Sequence, residues 1–291
     1  MTVTAQNTSV KTTKVAIPHP QDERCTIVGT LEQVEPERPT QGRNIALVRL
    51  HALGTHKDYL FQKKLALRLP YDSFRFDFRG NHETPGEWRF GHFEDDLADL
   101  DAIVAYLARE YGYVVDMLVG HSRGSVVAML WLCRHRDGPL TRAVRRFVNV
   151  SGRYRMEIEE RKEEFEKLGY IERRAMVARK PFVARIYQTD FDKFAAIDTS
   201  VVWTQFPPHI DVLSLHGLKD AVVPSYDAFI YSRAYGARVP GTHLLRYVED
   251  ADHNFTGMPE EVIETVLEWM ELQEQDRLYS GVWNTGVKGK L

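Results

Sequence analysis

Short runs of β-rich apolar residues alternate with stretches of helical period along most of the chain. This is the pattern of βα units that build a mainly parallel sheet. The runs predict strands at about 25–34, 44–51, 72–78, 114–121, 145–151, 210–216 and 243–249, all in one wide sheet. Between the third and fourth of these, residues from Glu94 to Tyr111 place Leu97, Leu100, Ile103, Val104 and Leu107 on one helical face. Asp95, Asp96, Asp99 and Asp101 lead that helix, where acidic groups suit the positive end of its dipole.

The rhythm breaks after Ser151. Roughly 50 residues follow without a convincing strand, about 21 of them charged, which is more than a βαβ crossover needs. Residues 153–205 therefore predict an inserted helical cap, with a surface helix from Met156 to Leu168 whose mixed charges form i,i+4 pairs. Tyr154, Phe165, Tyr170, Phe182, Tyr187, Phe191, Phe194 and Trp203 interleave with those charges, as residues covering a pocket would. The remaining division is a core of residues 21–152 and 206–275, a mobile tail over 1–20, and a loose tail over 276–291 in which only Trp283 docks.

Composition narrows the function classes. Hydrophobic residues make up 43% and charged residues 27%, a globular balance rather than a disordered or fibrous one. Lys+Arg 38 against Asp+Glu 41 leaves a formal charge of -3, so no basic field exists to hold nucleic acid or an anionic membrane. No segment has the apolar length of a membrane helix, and the N-terminus lacks the apolar core of a signal peptide. Cys25 and Cys133 form neither a disulfide framework nor a zinc pattern. A reducing, cytoplasmic location is the expectation.

The strongest local signal is Gly120-His121-Ser122-Arg123-Gly124, a G-x-S-x-G between the apolar run Met117-Leu118-Val119 and the helical run from Val126 to Cys133. By chance roughly one chain in ten of this length would contain those three residues so spaced. A strand ending at the motif and a helix starting there is more telling, because a serine on that sharp turn exposes its hydroxyl while the glycines let neighbouring backbones close up. An ordinary tight βα turn is the bland alternative.

A serine hydroxyl is a poor nucleophile at neutral pH, so it needs a base and a group to orient that base. His253, in the polar loop after the strand near 243–249, has the right order and topology among the histidines. The most economical acid is Asp220, just past the end of the strand near 210–216. Asp250 and Asp252 are rivals that would have to fold back on His253. An oxyanion also needs donors, worth about 3 to 4 kcal/mol each. The backbone N–H groups of Arg123 and Leu53 are the candidates, the latter in the loop after the strand at 44–51.

With these residues in view, the sequence resembles the α/β-hydrolase superfamily of serine esterases, in particular its capped cinnamoyl/feruloyl-esterase-like and monoglyceride-lipase-like branch. The resemblance spans about residues 21–275 and rests on HALGTHKD, FDFRGNHET, GHSRG, HGLKDAVVP and DADHNF in the expected order. It implies an α/β-hydrolase fold, a mostly parallel central sheet with helices on both faces and an inserted helical cap. It places Ser122, Asp220 and His253 on the nucleophile, acid and base, and Leu53 and Arg123 on the oxyanion positions. Two departures stand out: Ala52 replaces the usual glycine after His51, and His82 replaces the second glycine of a Gly-x-Gly; His82 is expected near the pocket mouth.

The remaining histidines lack metal-ligand spacing, and no phosphate-binding or dinucleotide-binding glycine pattern follows a strand, so neither a metal nor any cofactor is expected. Arg123 is expected to pair with a local carboxylate. The reading is a serine hydrolase that cleaves a carboxylic ester or thioester of a small to medium acyl compound. A non-turnover ligand receptor, a peptidase or a C–C bond hydrolase would share these residues. The expected partner is a small-molecule substrate, with no nucleic acid and no membrane insertion; a homodimer is compatible with this reading.

Overall fold

The computed structural model describes residues 10–51, 55–157 and 162–283. Its centre is a nine-stranded sheet built from β1 (Lys11–His19), β2 (Asp22–Gln33), β3 (Asn44–His51), β4 (Ser73–Asp77), β5 (Val114–Ser122), β6 (Arg146–Val150), β9 (Asp211–Gly217), β10 (His243–Val248) and β11 (Gly281–Val282). The spatial order is β1-β2-β4-β3-β5-β6-β9-β10-β11. β2 runs antiparallel to both β1 and β4, and the ladder from β4 to β11 is parallel.

Parallel strands are covered on both faces, so their successive side chains feed two cores. In β3, Ile45 and Leu47 enter one cluster while Ala46 and Val48 enter the other. The first cluster is closed by α2 (Phe93–Tyr106), α3 (Arg123–Arg134), the short α7 (Val202–Gln205) and α8 (Tyr226–Gly236). The second is closed by the stretch around α1 (Gln62–Arg68) and by α9 (Pro259–Glu274), which brings Val262, Val266 and Trp269. The short α4 (Pro139–Arg142) joins α3 to β6. All five apolar positions anticipated on the helix beginning near Glu94 are buried, and the helix ends in a π-helical turn at Leu107–Tyr111.

Three expectations need correction. The expected mobile tail over 1–20 contains β1, which pairs with β2 from Lys11 to His19 and buries Val15 and Ile17. Its alternation of polar and apolar positions is that of an edge strand with one face on the core. The tail over 276–291 contributes β11, which pairs in parallel with β10; Trp283 is buried as expected, and its N–H donates to the Leu245 carbonyl at 2.7 Å.

The excursion between β6 and β9 is not purely helical. It holds α5 (Lys162–Leu168), an antiparallel hairpin of β7 (Tyr170–Val177) and β8 (Lys180–Tyr187), then α6 (Gln188–Ala195) and a 3-10 turn. Ile171, Ile186 and Phe191 form a small core of their own, packed against Trp88, Phe90 and Phe165. Among the described residues, no helix is long and apolar enough to cross a membrane.

Candidate active site

β5 and α3 are joined with no intervening loop. Ser122 ends the strand with φ 53° and ψ -123°, and Arg123 begins the helix. Positive φ is costly for a residue with a Cβ, and it persists here because the flanking packing leaves no alternative. A Cβ on Gly120 would lie 2.6 Å from the Ser125 backbone, so only glycine lets the strand pass the helix this closely. The result holds Ser122 Oγ above the carboxyl end of the sheet, as the motif requires.

The loops after β9 and β10 meet beside it. A Cβ on Gly217 would strike the Ala251 carbonyl at 2.2 Å, and the Lys219 N–H donates to that same oxygen at 3.0 Å. This close packing brings Asp220 to His253. The His253 Nδ1–H donates to Asp220 Oδ2 at 2.8 Å, and Ser122 Oγ lies 2.9 Å from His253 Nε2. Asp250 and Asp252 do not take Asp220's place: Asp250 pairs with Lys219, and Asp252 accepts the N–H groups of Asn254 and Thr256 in its own loop.

Asp220 is held as a carboxylate. Burial alone would raise its pKa, but hydrogen bonds from His216 and His253 and from the Val223 amide outweigh burial and pull it well below the ordinary range. Its Oδ1 accepts the Val222 and Val223 N–H groups, each at 2.8 Å. The His216 Nε2–H serves both the Val223 carbonyl, at 3.0 Å, and Asp220 Oδ2, at 3.2 Å.

His253 is fixed from its main chain as well. Its carbonyl accepts the His121 Nε2–H at 2.6 Å and the Ser151 hydroxyl at 3.2 Å. His121 is fully buried; burial and the nearby His253 push its pKa down to about 3, so it is a neutral donor. Sequence reasoning missed His121, Ser151 and His216 as supports, although two of them lie inside the quoted GHSRG and HGLKDAVVP blocks.

Arg123 begins α3, so its N–H belongs to the first-turn amides that have no acceptor within the helix. Its guanidinium is occupied, with Nε 2.7 Å from Asp96 Oδ2 and a hydrogen bond to the Phe90 carbonyl. Asp96 therefore serves as a buried counter-ion rather than a dipole charge alone. Leu53, the second expected oxyanion donor, and Ala52 lie outside the described residues.

A cavity of about 340 Å³ opens over Ser122 and His253. Trp88, Phe90, Phe93 and Val126 give it apolar walls, and Met156, Ile186 and Phe194 from the excursion roof it. His82 does not line it. That residue turns instead toward Asp77, at 3.4 Å, and its ring lies tilted beside that of His56. Asp77, His82 and Glu83 are spaced so that they could hold a cation. The Lys57 ammonium already fills that role, 3.1 Å from Asp77 and hydrogen-bonded to Glu83. Hydrogen bonds from Lys14 and Lys57 hold the Glu83 pKa down at about 2.

Comparison with known proteins agrees with this architecture. The profile of the alpha/beta hydrolase family matches residues 47–265. The uncharacterized protein YDL057W of Saccharomyces cerevisiae is 27% identical over 241 residues, which span 72% of this chain and 68% of that one. Among solved structures, Est1E of Butyrivibrio proteoclasticus with ferulic acid bound superimposes with a TM-score of 0.69 at 16% identity, over 90% of this chain and 99% of that one. The esterase Pf2001 of Pyrococcus furiosus gives a TM-score of 0.58 at 14% identity, over 93% and 94% of the two chains. At such identities these two show a shared fold.

Proposed function

The chain belongs to the alpha/beta hydrolase family, and from that premise we propose that it is a serine hydrolase cleaving a carboxylic ester or thioester of a small to medium acyl compound. The observation that carries the proposal is the continuous row from Asp220 through His253 to Ser122, at 2.8 and 2.9 Å. Ester chemistry is further favoured by the names of the structural neighbours, one an esterase and one holding ferulic acid.

In this mechanism Ser122 Oγ attacks the acyl carbon while His253 Nε2 takes the hydroxyl proton. Asp220, anionic and buried, holds the imidazolium that forms. The oxyanion receives the Arg123 N–H, with the Leu53 N–H as the second donor proposed from sequence. As the intermediate collapses, the bond to the leaving oxygen or sulfur breaks and His253 returns the proton to that atom. Water then repeats the sequence on the acyl-enzyme, freeing the acid and Ser122. The cost of ordering these groups is met during folding, since His121, Ser151 and His216 fix the loops before substrate arrives.

A fluorophosphonate probe should label the protein at Ser122, and Ser122→Ala should abolish both labelling and turnover of p-nitrophenyl esters. Asp220→Asn should cut turnover by roughly 10⁴-fold while leaving the protein folded, because the imidazole then loses its anionic partner. Ester turnover that persists in Ser122→Ala would overturn the assignment.

A further inference from the structure

The cavity over Ser122 is largely apolar; beyond Ser122, His253 and Asn254 its polar lining is three arginines, and these are not equivalent. Arg123 is neutralised by Asp96. Arg153, in the loop after β6, spends its guanidinium on main-chain oxygens: Nη1 donates to the Glu157 carbonyl at 3.1 Å and Nη2 to the carbonyl of Val222. Burial pushes its pKa down, against the upward pull of the more distant Asp227 and Asp220. Arg173 sits on β7 and is half-buried. It shares a face of the hairpin with Ile171 and Val177, which are 1% and 6% exposed, while its neighbours Arg174 and Met176 point to solvent. Among the described residues, the Arg173 guanidinium has no ion pair and no hydrogen bond.

An arginine on the inward face of a strand is costly to keep without a partner. Among the described residues, two guanidinium groups thus border one cavity with no carboxylate in contact with either and no Asp or Glu in its lining. The positive field falls where a substrate must lie, since the same walls include Ser122 and His253.

Resting on the serine-hydrolase reading above, we infer that this cavity takes esters that carry an anionic group, its charge held by the guanidinium groups of Arg153 and Arg173 and its apolar body by the Trp88, Phe90 and Phe194 walls. Such a substrate is an amphiphilic acid ester, with the anion on either the acyl or the alcohol part.

Two matched pairs separate these cases: monophenyl glutarate against its carboxamide analogue, and the butyrate ester of 3-hydroxybenzoate against that of 3-hydroxybenzamide. Calorimetry on the Ser122→Ala protein reads binding without turnover. In at least one pair the anion should bind about tenfold or more tighter than the amide, as a charge-assisted contact allows. Raising salt from about 0.05 to 0.5 M should erode that preference. Adding Arg173→Gln or Arg153→Gln should cut it by at least about threefold, and Arg173→Lys should restore part of it.

Arg153 also ties two loops together, so each variant is checked by its melting curve; Arg173, on the half-exposed hairpin, provides the decisive variant. Equal binding of anion and amide in both pairs, or a preference that survives Arg173→Gln, overturns the inference. Failure of the hydrolase reading would look different: the wild-type protein would escape fluorophosphonate labelling, whatever calorimetry finds for the anions.

Discussion

Ser122 is one of eight residues other than glycine with positive φ among the described residues, and its strain is maintained by neighbours that cannot move away. Gly120 shows how little room there is. In Gly120→Ala the new methyl would meet Ser125 N and Cα at 2.6 Å, both backbone atoms of α3. A flexible side chain could yield to such a contact, but a helix start cannot. The substitution should cost about 3 kcal/mol or more, at or beyond the upper end for overpacking, and weaken labelling of Ser122 as the turn opens. Urea denaturation and probe kinetics on the variant measure both; a change under 1 kcal/mol would contradict the close approach. The three proposed catalytic residues were legible in sequence because each follows a clear apolar run, and sheet topology sends all such loops to one end. His121 and Ser151 were not, because their task is to hold a main-chain carbonyl of His253, and no residue pattern announces that. Arg173 was hidden for a related reason: whether an arginine faces solvent or a cavity depends on strand register.

At the scale of elements, the helix beginning near Glu94 was legible because its apolar stripe is long and regular. The β7–β8 hairpin was not. Its two turn residues, Ala178 and Arg179, both adopt positive φ (47° and 69°), the conformation a two-residue hairpin turn demands, yet neither is the glycine or asparagine that signals it. The alternation that marks a strand is also blurred, since Arg173 takes an inward position while the apolar Met176 and Val183 take exposed ones. β1 was missed for a different cause, since its apolar residues are few and lie near the chain start. Its burial makes a direct test. Ile17 is 0% exposed in the same core as Ile27 and Phe76. Ile17→Ala should therefore lower unfolding stability by about 2 to 4 kcal/mol, the usual range for emptying a buried isoleucine site. A mobile tail would give no change. Chemical denaturation of the full chain distinguishes the two, and an unchanged midpoint would return residues 11–19 to the status of a tail.

Across the whole molecule, two buried histidines of the sheet, His121 near the carboxyl end of β5 and His243 at the start of β10, set a limit on acid tolerance. His121 and His243 are both buried, and burial pushes each pKa down to about 3. His243 keeps Nε2 within 2.9 Å of the Ser214 hydroxyl, a neutral arrangement between β10 and β9. In the unfolded chain each would titrate near 6.5. Between about pH 6.5 and 3 the unfolded state therefore binds a proton at each site that the native state refuses, and stability must rise with pH through that window. Read downward, acidification from pH 6.5 should remove stability at up to about 1.4 kcal/mol per pH unit for each histidine. Asp220 acts in the same direction at lower pH: its pKa is depressed in the fold, so its contribution is present above the unfolded carboxylate range and lost below it. Urea titrations at pH 7, 6 and 5 should show the descent. His243→Gln removes one titrating group, so its slope between pH 6 and 5 should be shallower than wild type by about 1 kcal/mol per unit, whatever its stability at pH 7. Parallel slopes for the two proteins would mean that His243 accepts a proton in the folded state, and the ladder between β9 and β10 would then need a charge that the present packing does not accommodate.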